Sequence, residues 1–467
     1  MASNSSRLIL SRSASTPRWM STSSSAVKRE EGTLLFRKLA ALGLGGTNAN
    51  VADTLDDWVK EGHSLKRYDV IGYATQLRRY KKYDQAIQLY EWMDKSNTRM
   101  NNADRAIRID LLAKTEGIAS AENYFNSLEG SAKTKKTYGA LLNCYCHQKM
   151  FDKAIELFQK MSELNLHTNA LNYNNVMALY MNVGQPERVP KLFLEMKEKI
   201  IAPDLYTYNK LMNSYATLND FEAVERVLNM MKTDNVTFDW FTYGNLATIY
   251  VNAGLIDKAD AALKKLENMK NLKDPEAFHT LMNLYRQTSD ASGVHRAWDS
   301  LKLTFPKPSN LSYLILLLAL SKLGDVLGLE EYFREWESTC SNYDVRLSNV
   351  IVESYLSRDM IDEAKLLLES VARRGVNPNL RTQDLFMNFH LKKQEVDLAM
   401  KYLEAGAAEV KLGKETWFPN KESVNNFRRC FEEGNDAALS LKFCEIMKKM
   451  NRLDSETQKL LDNLSRK

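Results

Sequence analysis

The residues best suited to metal chemistry are cysteines and histidines, and they are few. The chain has five cysteines and six histidines among 467 residues. Cys144, Cys146 and His147 form a short cluster that resembles the start of a metal site. No second pair of ligands follows, and helix residues two apart face different sides, so we expect no bound metal. The odd number of cysteines also argues against a disulfide framework.

Residues for other kinds of catalysis are equally scattered. The histidines form neither H-x-E nor H-E-x-x-H, and no C-x-x-C occurs, which excludes a zinc deaminase site. No glycine-rich phosphate-binding loop is present. Adjacent carboxylates such as Asp56-Asp57 and Glu330-Glu331 are typical of solvated helix faces. The sequence therefore predicts a protein that is not an enzyme and carries no cofactor.

A repeat of 35 residues organises the chain. Residues 170–204 and 205–239 align without a gap. A fixed period near 35 is typical of stacked helix pairs. Three columns of mainly aromatic residues keep the same register, and we interpret them as the core between helices. The columns are Tyr138, Tyr173, Tyr208, Tyr243, Phe278 and Tyr313; Tyr145, Tyr180, Tyr215, Tyr250, Tyr285, Leu320 and Tyr355; and Phe158, Phe193, Leu228, Leu263, Trp298, Phe333 and Leu368.

Each unit divides into two helical patterns. In the first aligned unit these patterns span roughly residues 172–182 and 187–199, each with apolar residues at spacings of 3 and 4. Gly184 and Pro186 separate them, and Pro203 ends the second, because proline lacks the N–H that would continue a helix. One pair cannot bury its apolar face alone, so neighbouring pairs must stack into a continuous core.

The period predicts the organisation of most of the chain. We expect a repeat array over 67–414, preceded by an N-terminal helical cap at 33–66 and followed by a degenerate C-terminal repeat at 421–467. The predicted units are 67–101, 102–134, 135–169, 170–204, 205–239, 240–274, 275–309, 310–344, 345–379 and 380–414.

The first 28 residues differ from the rest in composition. Residues 1–28 are rich in serine, contain Arg7, Arg12 and Arg18, and precede the first acidic residue, Glu30. This composition is typical of a mitochondrial transit peptide, and the sequence around Met20 resembles a matrix-protease site with cleavage after that residue. A chloroplast address is the alternative.

Charge and hydropathy argue against binding of polyanions by net charge and against insertion into a membrane. The formal charge is +5 for the whole chain. It falls to about +2 without the three arginines of the predicted transit peptide. The net charge therefore does not indicate a protein that binds polyanions through overall electrostatic attraction. No stretch approaches 18 apolar residues without a charge, so we expect no membrane insertion.

The unit resembles the pentatricopeptide repeat. Tyr206-Thr-Tyr-Asn-Lys-Leu-Met is similar to the start of that motif, and Ile201-Ala-Pro-Asp is similar to its end. Nearly uniform units resemble the P class of plant mitochondria and chloroplasts. The resemblance implies an all-α, right-handed superhelical solenoid of antiparallel helix pairs that binds single-stranded RNA at about one base per repeat. The tetratricopeptide repeat, which usually has 34 residues and binds peptides, is the nearest alternative.

The family's reading positions can be carried over residue by residue. The fifth residue of a motif reaches the base edge and the last residue supports it, since an amide offers a donor and an acceptor that a carboxylate can orient. The second residues of consecutive motifs clamp the base. The resemblance implies two uridine combinations, Asn174 with Asp204 and Asn209 with Asp239, a pyrimidine combination, Asn349 with Asn379, and a clamp formed by Leu171, Tyr206 and Phe241.

Most other units lack part of this set. Gly139, Gly244 and Leu314 occupy the fifth position and cannot read a base by hydrogen bonding. Lys136, Glu276 and Arg346 replace the clamp. Lysines are also sparse where the family contacts phosphates. The resemblance therefore implies a short U-U step, read with modest affinity and selectivity.

These features predict a non-catalytic protein of the mitochondrial matrix that binds organelle RNA and acts in transcript stability, processing or translation. Two alternatives remain open. One is a structural component of the mitochondrial ribosome or another ribonucleoprotein, with ribosomal subunit proteins and ribosomal RNA as partners. The other is a helical scaffold that binds proteins.

Overall fold

A computed structural model describes residues 33–42, 50–166, 169–270, 272–411, 417–434 and 437–450. The predicted transit peptide, 1–28, lies outside these residues. The described part of the chain is built from α-helices with one short 3-10 helix and contains no strand, which confirms the all-α prediction. The described residues fall into two compact units, one up to Thr237 and one from Phe238 onward.

The described helices of the first unit are short and of similar length. They are α1 (33–41), α2 (Val51–Lys60), α3 (Arg67–Arg79), α4 (Tyr83–Lys95), α5 (Asn102–Thr115), α6 (Ile118–Ser127), α7 (Lys135–His147), α8 (Phe151–Glu163), α9 (Ala170–Asn182), α10 (Arg188–Glu198), α11 (Leu205–Thr217) and α12 (Phe221–Thr233), with a 3-10 turn at Gly130–Ala132.

The second unit continues the same alternation of helices. Its described helices are α13 (Trp240–Asn252), α14 (Ile256–Glu267), α15 (Pro275–Gln287), α16 (Ala291–Thr304), α17 (Asn310–Leu323), α18 (Val326–Thr339), α19 (Val345–Ser357), α20 (Ile361–Arg373), α21 (Leu380–Lys392), α22 (Val396–Lys411), α23 (Lys421–Gly434) and α24 (Ala437–Lys449).

Within each unit, the main contacts between described helices run between near neighbours in the chain. In the first unit α9 packs against its partner α10 and against α7 and α11. In the second unit α17 packs against α18 and against α15 and α19. A first helix therefore contacts its own second helix and the first helices on either side. This is the packing pattern of stacked helix pairs.

The aromatic columns pack between consecutive pairs, as the sequence predicts. The ring centroids of Phe158 and Tyr173 lie 5.1 Å apart in an edge-to-face arrangement. Trp298 and Tyr313 lie 4.7 Å apart in a similar arrangement. Such pairs contribute about 0.5–1.5 kcal/mol beyond the area that they bury. The third column of one pair thus packs on the first column of the next.

Side-chain caps begin many of the first helices. Asp204, Asp239, Ser309 and Asn379 adopt extended backbone geometry, and each accepts a hydrogen bond from the backbone N–H three residues later. A cap of this kind satisfies one of the free N–H groups at a helix start. Asp204 therefore begins α11, whereas α10 ends at Glu198, several residues before the Pro203 that the sequence predicts as its end.

Residues with left-handed backbone geometry form turns after several second helices, and one of these residues is unusual. Asn165, Asn235 and Gly375 follow second helices with φ between 52° and 77°, as glycine and asparagine tolerate. Ile200 occupies the corresponding turn with φ 58°, and its side chain is 93% exposed. A β-branched residue is strained in this region, and exposure leaves it little packing to compensate.

Replacing Ile200 should therefore stabilise the protein. We expect Ile200→Asn to raise the free energy of unfolding by about 1 kcal/mol, the cost of left-handed backbone for an ordinary residue. Urea unfolding followed by circular dichroism measures this change. The control is Leu164→Asn, which exchanges an exposed apolar side chain where φ is −85° and should leave stability nearly unchanged. Equal effects of the two changes would contradict the assignment of strain.

Candidate nucleic-acid interface

One predicted reading pair is joined by a hydrogen bond in the first unit. Asn174 lies on α9, and Asp204 is the cap of α11. Asn174 Nδ2 donates to Asp204 Oδ1 over 2.9 Å. The same oxygen accepts from the backbone N–H and the hydroxyl of Thr207, each at 2.9 Å. The capping carboxylate therefore holds the Asn174 amide in one orientation.

A second predicted pair is joined in the second unit. Asn349 Nδ2 on α19 donates to Oδ1 of Asn379, the cap of α21, over 3.0 Å. The hydroxyl of Thr382 donates to Asn349 Oδ1 over 2.7 Å. Protein groups therefore bind both ends of the Asn349 amide.

The residues of the third predicted pair belong to different units. Asn209 is buried on α11, where its Nδ2 donates to the Leu205 carbonyl over 2.9 Å. Asp239 caps α13 in the second unit, and its Oδ1 accepts from the N–H and the hydroxyl of Thr242. Each residue thus has a defined role within its own unit.

The predicted clamp residues are all exposed. Leu171, Tyr206 and Phe241 are 61%, 60% and 46% exposed, and each is the second residue of its helix. Within the first unit, Leu171 and Tyr206 lie on α9 and α11, which pack against each other, and both offer apolar surface to a ligand. Tyr68 and Leu311 are also exposed second residues, on α3 and α17, and are not among the clamp residues predicted from the sequence.

The acceptor oxygen of the Asn174 amide is buried. The residue is 6% exposed, and its Oδ1 is buried without a hydrogen-bond partner in the described part of the chain. Such an oxygen costs roughly 1–3 kcal/mol relative to one that is paired. A donor from a ligand would relieve that cost. The oxygen is covered, so a base edge reaches it only when neighbouring side chains move aside.

Other fifth-position residues serve packing or internal hydrogen bonds. A Cβ on Gly139 would lie 3.1 Å from Asn172 Oδ1, and one on Gly244 would lie 3.0 Å from Thr280 Cγ2. Both glycines therefore allow close helix contact. His279 Nε2 is 2.9 Å from Ser312 Oγ, and burial lowers the pKa of this histidine.

Lys210 is a half-buried cation on the same side of α11 as Tyr206. It follows Tyr206 by four residues, which places both side chains on one helix face. Burial lowers the pKa of the Lys210 ammonium, and Asp204 opposes this effect. Among the described residues it has no carboxylate within ion-pair distance, whereas Lys197 pairs with Asp234 at 2.7 Å. Lys210 is not predicted from the sequence, although its spacing from Tyr206 is a usable signal.

The two cysteines of the short cluster lie in the packed interior. Cys144 and Cys146 are buried on α7, and burial raises the pKa of each thiol to about 12. Both thiols are therefore protonated and unreactive at neutral pH. Within the described ranges no group of three or more histidine, cysteine or acidic residues could hold a metal ion. None of the helices there combines the length and apolar character needed to cross a bilayer.

Models of known repeats match the central part of the chain. The PPR repeat family matches residues 168–217, and the PPR repeat matches 136–166 and 206–236. These ranges include α9, α11 and the Asn174–Asp204 pair.

Similar proteins of Arabidopsis thaliana cover most of the chain. Two mitochondrial pentatricopeptide repeat-containing proteins are each 40% identical, over 93% and 91% of this chain and 86% and 80% of their own lengths. The large ribosomal subunit protein mL101 (rPPR4) is 39% identical over 86% of this chain and 82% of its own length.

A solved structure shares the fold. The crystal structure of the pentatricopeptide repeat protein PPR10 in complex with an 18-nt psaJ RNA element aligns with a TM-score of 0.53 at 14% identity. The alignment covers 94% of this chain and 65% of that chain. At this identity the likeness supports the stacked-helix fold.

Changing Asp204 should separate its capping role from its charge. We expect Asp204→Ala to lower the free energy of unfolding by about 1–2 kcal/mol, because α11 loses its cap and Asn174 loses its partner. Asp204→Asn should cost less than about 0.5 kcal/mol, because asparagine caps helices nearly as well. Urea unfolding measures both. Equal losses for the two variants would show that capping is not the main role of this side chain.

Proposed function

We propose that this chain, which belongs to the pentatricopeptide repeat family, binds single-stranded RNA in mitochondria and catalyses no reaction. The finer location that we propose is the mitochondrial matrix. Two relatives that match most of the chain are named mitochondrial. The PPR10 structure of the same fold contains a bound RNA element.

The observation that carries the proposal is the arrangement around Asn174. Leu171 and Tyr206 expose their side chains at the second positions of α9 and α11, the two helices that the Asn174–Asp204 hydrogen bond joins. A base held between an aliphatic and an aromatic side chain would bring its edge toward the amide. The unpartnered Asn174 Oδ1 would then accept a hydrogen bond from that edge. We propose that the base is uracil, which carries an N–H donor on its pairing edge.

We further propose that Lys210 contacts the backbone of the same RNA segment. Its ammonium lies one helical turn from Tyr206 and has no carboxylate partner in the described part of the chain. A half-buried, unpaired cation gains stability when an anion approaches. A phosphate beside the base held by Leu171 and Tyr206 would supply that anion.

A second uridine is proposed at Asn209 and Asp239, with Phe241 in its clamp. It remains a prediction from the sequence, because Asn209 lies in the first unit whereas Asp239 and Phe241 lie in the second. The pair Asn349 and Asn379 is proposed as a separate pyrimidine site in the second unit. Its flanking second residues are Arg346 and Arg381, which pair with Asp344 and Glu353, so this proposed site has no apolar clamp.

A structural role in the mitochondrial ribosome is the second candidate. It is favoured by the 39% identity to mL101 of the large ribosomal subunit over most of both chains. In this role the same surface would contact ribosomal RNA or ribosomal proteins. Sedimentation of a mitochondrial extract, with and without ribonuclease, separates the two candidates. Stoichiometric comigration with a ribosomal subunit would contradict a free RNA-binding protein, and crosslinks to a few messenger RNAs would contradict the structural role.

Removing the Asn174 amide should remove the preference for uracil. We expect Asn174→Ala to lower the affinity for a uridine-containing oligonucleotide about tenfold, the effect of one well-read base, with a smaller loss for an adenosine oligonucleotide. Fluorescence anisotropy measures both affinities. Combining this change with Asn209→Ala should extend the loss to the second proposed uridine.

The control is Asn229→Ala, an exposed asparagine on second helix α12, which should leave both affinities unchanged. If wild type and Asn174→Ala bound uridine RNA equally well, the proposed reading site would be wrong. If wild type bound no RNA and captured only proteins, the scaffold alternative would replace the proposal.

Removing the Lys210 charge should weaken binding to all RNA sequences alike. We expect Lys210→Gln to reduce the slope of log affinity against log salt by about 0.7, the contribution of one phosphate contact on a single strand. Anisotropy titrations at several salt concentrations give the slope. Lys191→Gln, at an exposed lysine of α10, is the control and should change it less. A loss confined to uridine RNA would instead make Lys210 a base contact.

A further inference from the structure

Three tyrosines of the first aromatic column share one arrangement of polar groups. The hydroxyl donates to a carboxylate on, or directly after, the second helix of the same pair, and a lysine binds that carboxylate as well. Glu335 Oε1, for example, accepts from the Tyr313 hydroxyl over 2.8 Å and from Lys302 Nζ over 3.1 Å. The sets are Tyr173, Glu195 and Lys199; Tyr208, Asp234 and Lys197; and Tyr313, Glu335 and Lys302.

The two donors of such a set stabilise an ionised acid. Hydrogen bonds from Lys197 and Tyr208 hold the pKa of the Asp234 carboxyl below its ordinary value. Hydrogen bonds to a charged group are roughly twice as strong as those between neutral groups. A tyrosine hydroxyl beside an ammonium group is therefore a good acceptor site for a carboxylate in this fold.

Tyr243 belongs to the same column but has no carboxylate partner. In two of the sets the acid follows the tyrosine by 22 residues (173 to 195 and 313 to 335), and the residue at that spacing from Tyr243 is Lys265 (243 to 265). Among the described residues, neither the Tyr243 hydroxyl nor the Lys265 ammonium has a hydrogen-bond or ion-pair partner, whereas the adjacent Lys264 pairs with Asp260 at 2.7 Å. The donors of the arrangement are thus present and its acceptor is missing.

An open cleft of about 420 Å³ lies at this point of the second unit. Its lining residues are Phe238, Tyr243, Lys264, Lys265, Asn268 and Met269, and none of these six is acidic. Phe238 packs edge to face on Tyr243, with ring centroids 5.6 Å apart. The cleft therefore combines hydroxyl and ammonium donors with the apolar surfaces of Phe238 and Met269.

We propose that this cleft is a docking site for a protein partner, whose aspartate or glutamate side chain supplies the carboxylate that Tyr243 and Lys265 lack. The three complete sets each hold a carboxylate, which favours an acidic side chain as the occupant. Phe238 and Met269 suit an apolar residue beside that acid in the partner's chain. The cleft belongs to the second unit and Asn174 to the first, so this inference does not depend on the proposed RNA binding.

A cleft of about 310 Å³ in the first unit provides a matched control. Lys160 follows Tyr138 at the same spacing (138 to 160), and both residues line this cleft. Glu122 and Glu156 line it too, and Glu122 Oε1 accepts from Lys153 Nζ over 2.6 Å. Because this cleft contains carboxylates of its own, we expect no acidic partner to bind there.

Binding of peptides to the full-length protein tests the proposal. The probes are arrayed random heptapeptides with a central glutamate, each printed beside its glutamine counterpart. The wild type should retain the glutamate peptides about tenfold better, the effect of charge-assisted hydrogen bonds, with apolar residues enriched next to the glutamate. Lys265→Glu should abolish this preference, because the introduced carboxylate would itself accept from Tyr243. Tyr243→Phe should reduce it to about threefold, because the ring keeps its packing while the hydroxyl is lost.

Lys160→Glu should leave the preference unchanged. Equal retention of the two peptide classes by the wild type would overturn the inference, as would equal losses for Lys160→Glu and Lys265→Glu. If acidic peptides did not bind and Lys265→Glu instead weakened RNA binding, the cleft would be a nucleic-acid contact. If sedimentation velocity showed a dimer that Lys265→Glu separates, the occupant would be a second copy of the chain. Either result would overturn the partner assigned here, and thermal melting checks that each variant is folded.

Discussion

Three hydrogen bonds meet at one oxygen atom, Oδ1 of Asp204, and the candidate site depends on them. The N–H and hydroxyl of Thr207 and the amide of Asn174 all donate to it over 2.9 Å. The first bond begins α11, and the third orients Asn174 on α9. Helix capping and ligand recognition are thus coupled, because one carboxylate joins the first helices of consecutive pairs.

Stacking supplies the rest of the surface. The aromatic columns fix the distance between pairs, as the 5.1 Å contact of Phe158 with Tyr173 illustrates. The second residue of a first helix lies outside this core, so Leu171 and Tyr206 remain exposed on adjacent helices. Lys210 follows Tyr206 by one turn. A repeated fold therefore places apolar, amide and cationic groups on adjacent first helices.

The helices were predictable from the sequence because their core repeats with the stack. The predicted spans 172–182 and 187–199 correspond to α9, Ala170–Asn182, and α10, Arg188–Glu198. That the Asn174 oxygen has no hydrogen-bond partner among the described residues could not be predicted in the same way, because it depends on which donors the neighbouring helices bring near. Whether Lys210 has an ion-pair partner depends on where nearby carboxylates lie in the folded chain. Spacing along the sequence does not give those positions.

The central claim is that RNA contacts the first helices around Asn174. The most direct measurement is photo-crosslinking of the full chain to RNA that carries 4-thiouridine, followed by tryptic digestion and mass spectrometry. The account predicts crosslinks on the peptides 161–188 and 200–210, which contain Leu171 and Tyr206. Crosslinks confined to second-helix peptides such as 192–197, from RNA that is demonstrably bound, would contradict it.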